Sequence, residues 1–360
     1  MFVHFAMQQN DFLLYGAYGY TGELIARFAS QYHLTPILAG RRREPLEQLA
    51  SKLKLRYKVI NIDDAPALEA ALREVKVVVH CAGPFDHTAK PMADACLNTG
   101  VHYLDINGDM DVFEMLYSYD DAAKKAGIMI MSGAGFDVVP TDCMALFLKK
   151  LLPGATSLKL AFATPGGGLS HGTATTTVQK LGEPGAVRKG GKLTPVPIGH
   201  KGMTVDFGGG QKLFVMSLPW GDVFTAYLTT GIPNIESYTA VPFAAYIFLK
   251  FQFLFNWLLR TSFVKNLVKK KIDNSPAGLN DEKREKATSL VWGEVTDAAG
   301  NKRTARLAGP DAYTLTAYST LLITRKALDG HFKTGYQTPA GAYGEDLIME
   351  IDGVKREIVS

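Results

Sequence analysis

The chain has 360 residues, 47% apolar and 21% charged, the balance of a globular protein with enough material for two ordinary domains. A formal net charge of +4 over that length is too small to argue for nucleic acid as a partner. Cys81, Cys96 and Cys143 have neither C-x-x-C nor metal-ligand spacing, so reduced buried thiols and no metal are expected.

In chain order, the opening MFVHFAM has no basic n-region and no long apolar run, so no secretory signal is expected. A buried strand, Phe12-Leu13-Leu14-Tyr15, then runs into Gly16-x-x-Gly19-x-x-Gly22, and a helical pattern takes over at Glu23. This is the form of a dinucleotide-binding turn. Gly16 makes the sharp bend, Gly19 lets the backbone approach a pyrophosphate, and Gly22 lets the helix pack close to its strand. The helix N-terminus offers unpaired N–H groups to phosphate.

The second apolar run, Ile37-Leu38-Ala39, ends in Gly40-Arg41-Arg42-Arg43, with no acid until Glu44. An acidic side chain there would bind the ribose hydroxyl of NAD, whereas guanidinium groups match a 2′-phosphate. The cofactor is therefore expected to be NADP(H), with Gly40, Arg41 and Arg42 as contacts.

A helix is predicted over Pro45–Leu53 and a third strand over Tyr57–Ile62, whose end places Asp63 as an adenine contact. Val75 to His80 is a β-branched run of the kind buried on both faces of a parallel sheet. It breaks into Cys81-Ala82-Gly83-Pro84-Phe85, where small residues at a central strand's carboxyl end let a cofactor lie across it. Ala82, Gly83 and Pro84 are candidates on that ground. A helix from Pro91 to Thr99, a strand through His102-Tyr103-Leu104-Asp105 and a sixth strand over Ile128–Met131 follow. Strands alternating with helices at this spacing predict an α/β fold, a Rossmann-like doubly wound parallel sheet.

The motifs YGAYGYTG, LAGRR, VVHCAGPF, GVHYLDINGD and GAGFDVVPTD, with GYQTPAGAYGEDLI near the C-terminus, resemble the saccharopine dehydrogenase-like oxidoreductases. Within them the chain is most similar to the branch of trans-acting enoyl reductases and the saccharopine-dehydrogenase-like oxidoreductase of animals. The resemblance implies a Rossmann domain interrupted by a second α+β domain and completed by C-terminal segments. The corresponding boundaries are 7–150, 151–308 and 309–360. It adds Tyr20, Thr21 and Phe85 to the cofactor contacts. Tyr18, where the family often has threonine, changes the side chain over the pyrophosphate.

The second domain opens with a strand over Leu158–Ala163 and a glycine-rich loop. Ser170, Gly172 and Thr173, at the start of a predicted helix, are substrate-binding candidates, supported by the family's S-x-G-T segment; ordinary N-capping explains each singly as well. Asp137 joins them. Tyr103, Asp105 and His171 are the candidates for catalysis, with no recognisable dyad among them.

Residues 240–271 are the most unusual stretch. On a single helix, Gln252, Asn256 and Arg260 would form a narrow polar stripe with apolar residues nearly all round. Three readings compete. A spanning helix needs about 20 apolar residues, and Lys250 would cost about 2.5–3.5 kcal/mol near the middle. A monotopic helix in the headgroup region avoids that cost. Burial of 240–264 against the chain's own second domain or a partner subunit is the third reading.

The leading functional reading is an NADP-dependent reductase acting on an enoyl or carbonyl group of a hydrophobic, lipid- or polyketide-like acyl substrate. It is expected as a cytoplasmic protein, peripheral on the inner face of a membrane through 240–271, or a homodimer. An amino-acid dehydrogenase of the saccharopine or lysine type is the alternative, but it would need clustered arginines for substrate carboxylates, and residues 155–240 hold only Arg188. A non-catalytic NADP-binding protein at a lipid surface is the third reading.

Overall fold

The computed structural model describes residues 11–360 apart from 169, 180, 181, 219 and 275–277; within helices, the side chains of 173, 176, 177, 179 and 273 are also outside the described set. The chain divides into two compact units. One runs up to Phe136 and resumes over Tyr313–Thr338, and the other comprises Asp137–Ala312 and Pro339–Ser360.

The first unit contains β1 (Asp11–Tyr15), α1 (Tyr20–Phe28), β2 (Thr35–Gly40), α2 (Arg43–Leu53), β3 (Tyr57–Val59), α3 (Ala65–Leu72), β4 (Val77–His80), α4 (Phe85–Thr99), β5 (His102–Asp105), α5 (Met110–Tyr117), α6 (Asp120–Ala126) and β6 (Met129–Met131). The late strand Gly335–Gln337, β15 in chain order, completes a seven-stranded sheet ordered β15-β6-β5-β4-β1-β2-β3. Every pairing in it is parallel. The strand order reverses between β1 and β4, the switch point at which such sheets bind ligands. β1 and β4 are buried along their whole length, which is why they read as unbroken apolar runs.

The helix expected to begin at Pro91 begins at Phe85 instead and carries Pro91 inside it. A proline there removes one internal hydrogen bond without ending the helix, because the flanking turns stay buried through Ala89, Met92 and Ala93. The long helix Ala312–Leu328, α14 in chain order, ties down the loop after β6. Ser319 and Thr320 donate from their hydroxyls to the Ala134 carbonyl at 2.8 and 3.1 Å, and Thr316 Oγ1 accepts from the Phe136 N–H at 3.0 Å.

The second unit starts at Asp137 rather than near 151, because α7 (Val139–Leu151) packs on its sheet. A Cβ on Gly293 would lie 2.5 Å from Leu148 and 2.9 Å from Met144, which shows how closely α7 approaches the strand beneath it. The remaining elements are β7 (Ala155–Ala163), α8 (His171–Gln179), β8 (Gly185–Lys189), β9 (Lys192–Val196), β10 (Gly202–Asp206), β11 (Lys212–Ser217), α9 (Asp222–Thr230), β12 (Asn234–Ala240), α10 (Phe243–Lys250), α11 (Asn256–Leu259), α12 (Ser262–Asp273), α13 (Asp281–Lys286), β13 (Thr288–Asp297), β14 (Lys302–Pro310), α15 (Pro339–Tyr343) and β16 (Lys355–Ile358). The sheet runs β10-β11-β12-β7-β13-β14-β16, with the β8–β9 hairpin attached through β12. Only β12 and β7 pair in parallel along that path.

Two expectations are corrected here. The C-terminal stretch does not all return to the first unit: β16 pairs antiparallel with β14, and the Arg356 guanidinium sits 3.7 Å over the Phe147 ring of α7. The charged sequence Lys-Arg-Glu-Ile hid this edge strand. Residues 240–271 do not form one helix either. They fold as α10, a 3-10 turn over Gln252–Leu254, α11 and α12, interrupted where Phe251 and Phe255 take non-helical backbone angles. Among the described residues, no helix is long and apolar enough to cross a membrane.

Candidate functional site

The nucleotide cradle is the turn from β1 into α1. Gly16 sits at φ +85°, and a Cβ there would lie 2.7 Å from the backbone of Cys81 and Ala82 on the neighbouring strand. Only glycine satisfies both the angle and the space. A Cβ on Gly22 would lie 2.4 Å from the Gly16 carbonyl oxygen and 3.0 Å from the Ala17 Cα. Gly19 is the N-cap of α1, in extended backbone, with no side chain capping the helix. The first-turn N–H groups of α1 are thus left to a ligand, and the glycines keep the floor of the cradle free of side chains.

Thr21 lies half-buried in that first turn. The Tyr20 ring packs edge-on against Tyr313, centroids 4.9 Å apart. Ala82, Gly83 and Pro84 follow β4 across the switch point. Thr88 Oγ1 donates to the Ala82 carbonyl at 2.7 Å, bonds the Pro84 carbonyl at 3.1 Å, and lies 3.0 Å from His80 Nε2. Phe85 opens α4 with its ring edge-on to His80. His80 is fully buried, which drives its pKa down to about 3 and keeps the ring neutral.

At the end of β2, Arg43 pairs with Glu47 at 3.2 Å, whereas Arg41 and Arg42 make no ion pair among the described residues. A Cβ on Gly40 would lie 2.7 Å from the Tyr18 ring, and the Arg42 guanidinium stands 4.8 Å over the same ring. Tyr18 therefore lies between Gly40 and Arg42 and holds that guanidinium by a cation–π contact. Sequence reasoning placed Tyr18 over the pyrophosphate and missed this role. Two exposed guanidiniums without carboxylate partners beside an uncapped helix N-terminus fit a cofactor carrying a 2′-phosphate. Asp63 is exposed in the turn after β3.

Tyr103 and Asp105 are both fully buried and bonded to each other, Tyr103 donating its hydroxyl to Asp105 Oδ2 at 2.8 Å. Asp105 also accepts from the N–H groups of Asn107 at 3.0 Å and Gly133 at 2.9 Å. Burial raises the pKa of both, and the carboxylate beside Tyr103 raises the phenol further. The pair ties together the loops after β5 and β6.

In the second unit, Ser170 is buried immediately before α8, and His171 and Gly172 open that helix. The Thr173 side chain lies outside the described residues. Asp137 stands before α7 and makes no hydrogen bond among the described residues; burial of its carboxyl pushes the pKa up to about 7. Close by is a group the sequence gave no reason to single out. Asp222, the first residue of α9, is fully buried and accepts from Thr141 Oγ1 at 2.5 Å and Ser237 Oγ at 2.9 Å. Burial, with the charges of Asp137 and Asp142 adding to it, raises Asp222 to about 7. Asp142 accepts from Thr229 Oγ1 at 2.6 Å and the Ala340 N–H at 2.8 Å. Burial thus pushes two carboxyls of this unit, Asp137 and Asp222, up toward neutrality. Among the described residues there is no cluster able to hold a metal ion.

The first unit is a Rossmann-type dinucleotide-binding domain, and residues 12–131 match the family described as saccharopine dehydrogenase NADP binding domain. The cofactor is accordingly NADP(H). The chain is 26% identical over 223 residues to the saccharopine dehydrogenase-like oxidoreductase of Bos taurus, covering 54% of this chain and 52% of that protein. It is 31% identical over 143 residues to the trans-acting enoyl reductase of Mycobacterium leprae, covering 38% and 34%. The chain thus spans about half the length of the bovine relative. Apo saccharopine dehydrogenase (L-Glu forming) from Saccharomyces cerevisiae has a similar fold, with a TM-score of 0.68 over 98% of this chain and 100% of that one at 15% identity. Over residues 12–131 the chain carries a saccharopine dehydrogenase-type NADP-binding domain, and over about half its length it is similar to the saccharopine dehydrogenase-like oxidoreductases.

Proposed function

We propose that the protein is an NADP(H)-dependent reductase that reduces an enoyl or carbonyl group of a hydrophobic, lipid- or polyketide-like substrate. The observation that carries the choice of substrate class is the state of Arg188. It is the only arginine over 155–240, and it is buried, donating from Nε to the Val223 carbonyl at 2.8 Å and from Nη1 to the Gly191 carbonyl at 2.7 Å. Its guanidinium also stands 4.0 Å over the Tyr227 ring. A guanidinium fixed by backbone carbonyls has no free fork for a substrate carboxylate. This counts against an amino-acid substrate, and the enoyl reductase among the relatives points the same way. A cytoplasmic enzyme working at the inner face of a membrane fits such a substrate.

NADPH, held by the Gly16–Gly22 turn and the arginines after β2, would supply the hydride when bound. The chain must then hold the substrate and supply one proton to the atom next to the carbon, or to the oxygen, that completes the addition. We assign that proton to Asp137, whose carboxyl keeps it near neutrality and has no competing hydrogen bond among the described residues. Tyr103 and Asp105 satisfy each other, and we give them a positioning part in the loops of the first unit.

The test is NADPH oxidation, followed at the nicotinamide absorbance, against long-chain enoyl and β-keto acyl thioesters and against saccharopine. Turnover with the thioesters supports the proposal. Turnover with saccharopine alone refutes it, and tight NADPH binding with no turnover on any of them favours the non-catalytic reading.

A further inference from the structure

The stretch from Phe243 to Lys271 turns its apolar side chains away from its own domain. Phe248, Phe253, Leu254, Trp257, Phe263 and Leu267 each leave 61–76% of their surface exposed. At about 120 Å² apiece, these six alone present on the order of 700 Å² of apolar surface. That is more than the largest patch of a typical soluble monomer, about 300–600 Å².

The polar atoms of the stretch point the other way. Gln252 Nε2 donates to the carbonyls of Ile198 at 2.7 Å and Leu249 at 2.9 Å, and Arg260 Nε donates to the Gly182 carbonyl at 2.8 Å. Lys250 Nζ donates to the His200 carbonyl at 2.9 Å. Trp257 Nε1 is satisfied by the Leu254 carbonyl within the stretch itself. A helix facing water does the reverse, burying its apolar stripe and hydrating its polar one. Here the polar groups fasten the stretch to the domain and the apolar groups are left outside.

Charge decides between occupants. Residues 240–271 contain six basic residues and no acidic one, and Lys269, Lys270 and Lys271 are exposed at the end of α12. A second copy of the chain would bring like charges together across the contact. An anionic lipid leaflet offers acyl chains to the aromatic side chains and headgroup charge to the lysines. Segmentation fits the same partner, because the longest helical piece has 12 residues and the others fewer, so the stretch lies flat rather than crossing.

We propose that Phe243–Lys271 is an interfacial anchor that seats the second domain on an anionic lipid leaflet, aromatic side chains at the acyl–headgroup boundary and the α12 lysines against headgroups. The anchor stands whether or not the reductase reading holds.

The experiment is co-sedimentation of the full chain with phosphatidylcholine vesicles, with and without phosphatidylserine. Three proteins are compared: wild type, Phe253→Asp/Trp257→Asp, and Lys269→Gln/Lys270→Gln/Lys271→Gln. The far-UV circular dichroism spectrum and melting profile of each report that the second unit is folded, and NADPH titration, which reads the other unit, separates loss of the anchor from loss of the cofactor site. Wild type should partition at least tenfold more strongly to serine-containing vesicles, less so at high salt. The aspartate pair should lose vesicle binding, and the glutamine triple should lose the preference for phosphatidylserine. Equal partitioning of wild type and the aspartate pair overturns the proposal. So does a solution dimer that the aspartate pair dissociates while wild type ignores vesicles, which would make a second copy the occupant. Resistance of bound protein to alkaline extraction would overturn the flat orientation.

Discussion

Asp222→Asn replaces a buried carboxyl by an amide of the same shape. The wild-type carboxyl is held by the Thr141 and Ser237 hydroxyls, and burial raises its pKa to about 7. In the unfolded chain the same group titrates near about 3.9. A group whose folded pKa is the higher one contributes stability that is complete below the unfolded value and is lost as pH rises through the folded value. Between about 4 and about 7 the folded protein holds a proton that the unfolded chain has released, and each pH unit costs about 1.4 kcal/mol per such proton. Over that interval the wild type should lose on the order of 4 kcal/mol relative to the amide, which has no proton to lose.

The assay is thermal or urea unfolding of both proteins at pH 5, 6, 7 and 8, read as the difference between them so that all other titrating groups cancel. At pH 5 the wild type should be at least as stable as the variant; by pH 8 the variant should be the more stable by several kcal/mol. A difference that does not change with pH would refute the reasoning. It would mean that the hydroxyls hold Asp222 ionised throughout.

Other expectations follow from the same geometry. Gly22→Ala puts a Cβ 2.4 Å from a backbone oxygen, so the βα turn must shift; it should cost about 1–3 kcal/mol and abolish NADPH binding, read by melting and titration. Tyr18→Thr removes the ring beneath Arg42 and should weaken NADPH about two- to fivefold while leaving NADH unchanged. Arg188→Ala leaves the Val223 and Gly191 carbonyls without their donor and should cost about 2–4 kcal/mol in unfolding free energy. If Asp137 supplies the proton, kcat should fall as pH rises through about 7, and Asp137→Asn should remove that limb while NADPH still binds.

How much of this was legible in the sequence depends on how local each cause is. The cradle was legible because Gly19 and Gly22 answer contacts made within the seven-residue turn and Gly16 answers its own positive φ, although the backbone of Cys81 and Ala82 that also closes on Gly16 comes from far along the chain. The basic end of β2 was legible because its position along the chain fixes its place beside the turn. The buried acids were not: Asp222 owes its state to Thr141, 81 residues away, and to Ser237, 15 residues on, which come together only when α7, α9 and β12 pack. The role of Tyr18 was hidden for the same reason, since Gly40 and Arg42 meet it only across β1 and β2. Residues 240–271 announced their apolarity but not its direction. Composition cannot tell a buried stripe from an exposed one, and the backbone breaks at Phe251 and Phe255 decided the outcome. The edge strand β16 left no apolar signal because its sequence is mostly charged.

The central claim is that an NADP(H) site, selected by the arginines after β2, drives reduction of a hydrophobic substrate. It is tested most directly by titrating wild type, Arg41→Ala and Arg42→Ala with NADPH and NADH, following nicotinamide fluorescence. Wild type should bind NADPH at least tenfold more tightly than NADH, and each substitution should erode that ratio by weakening NADPH alone. Equal affinity of wild type for the two cofactors, or no change on removing either arginine, would contradict it.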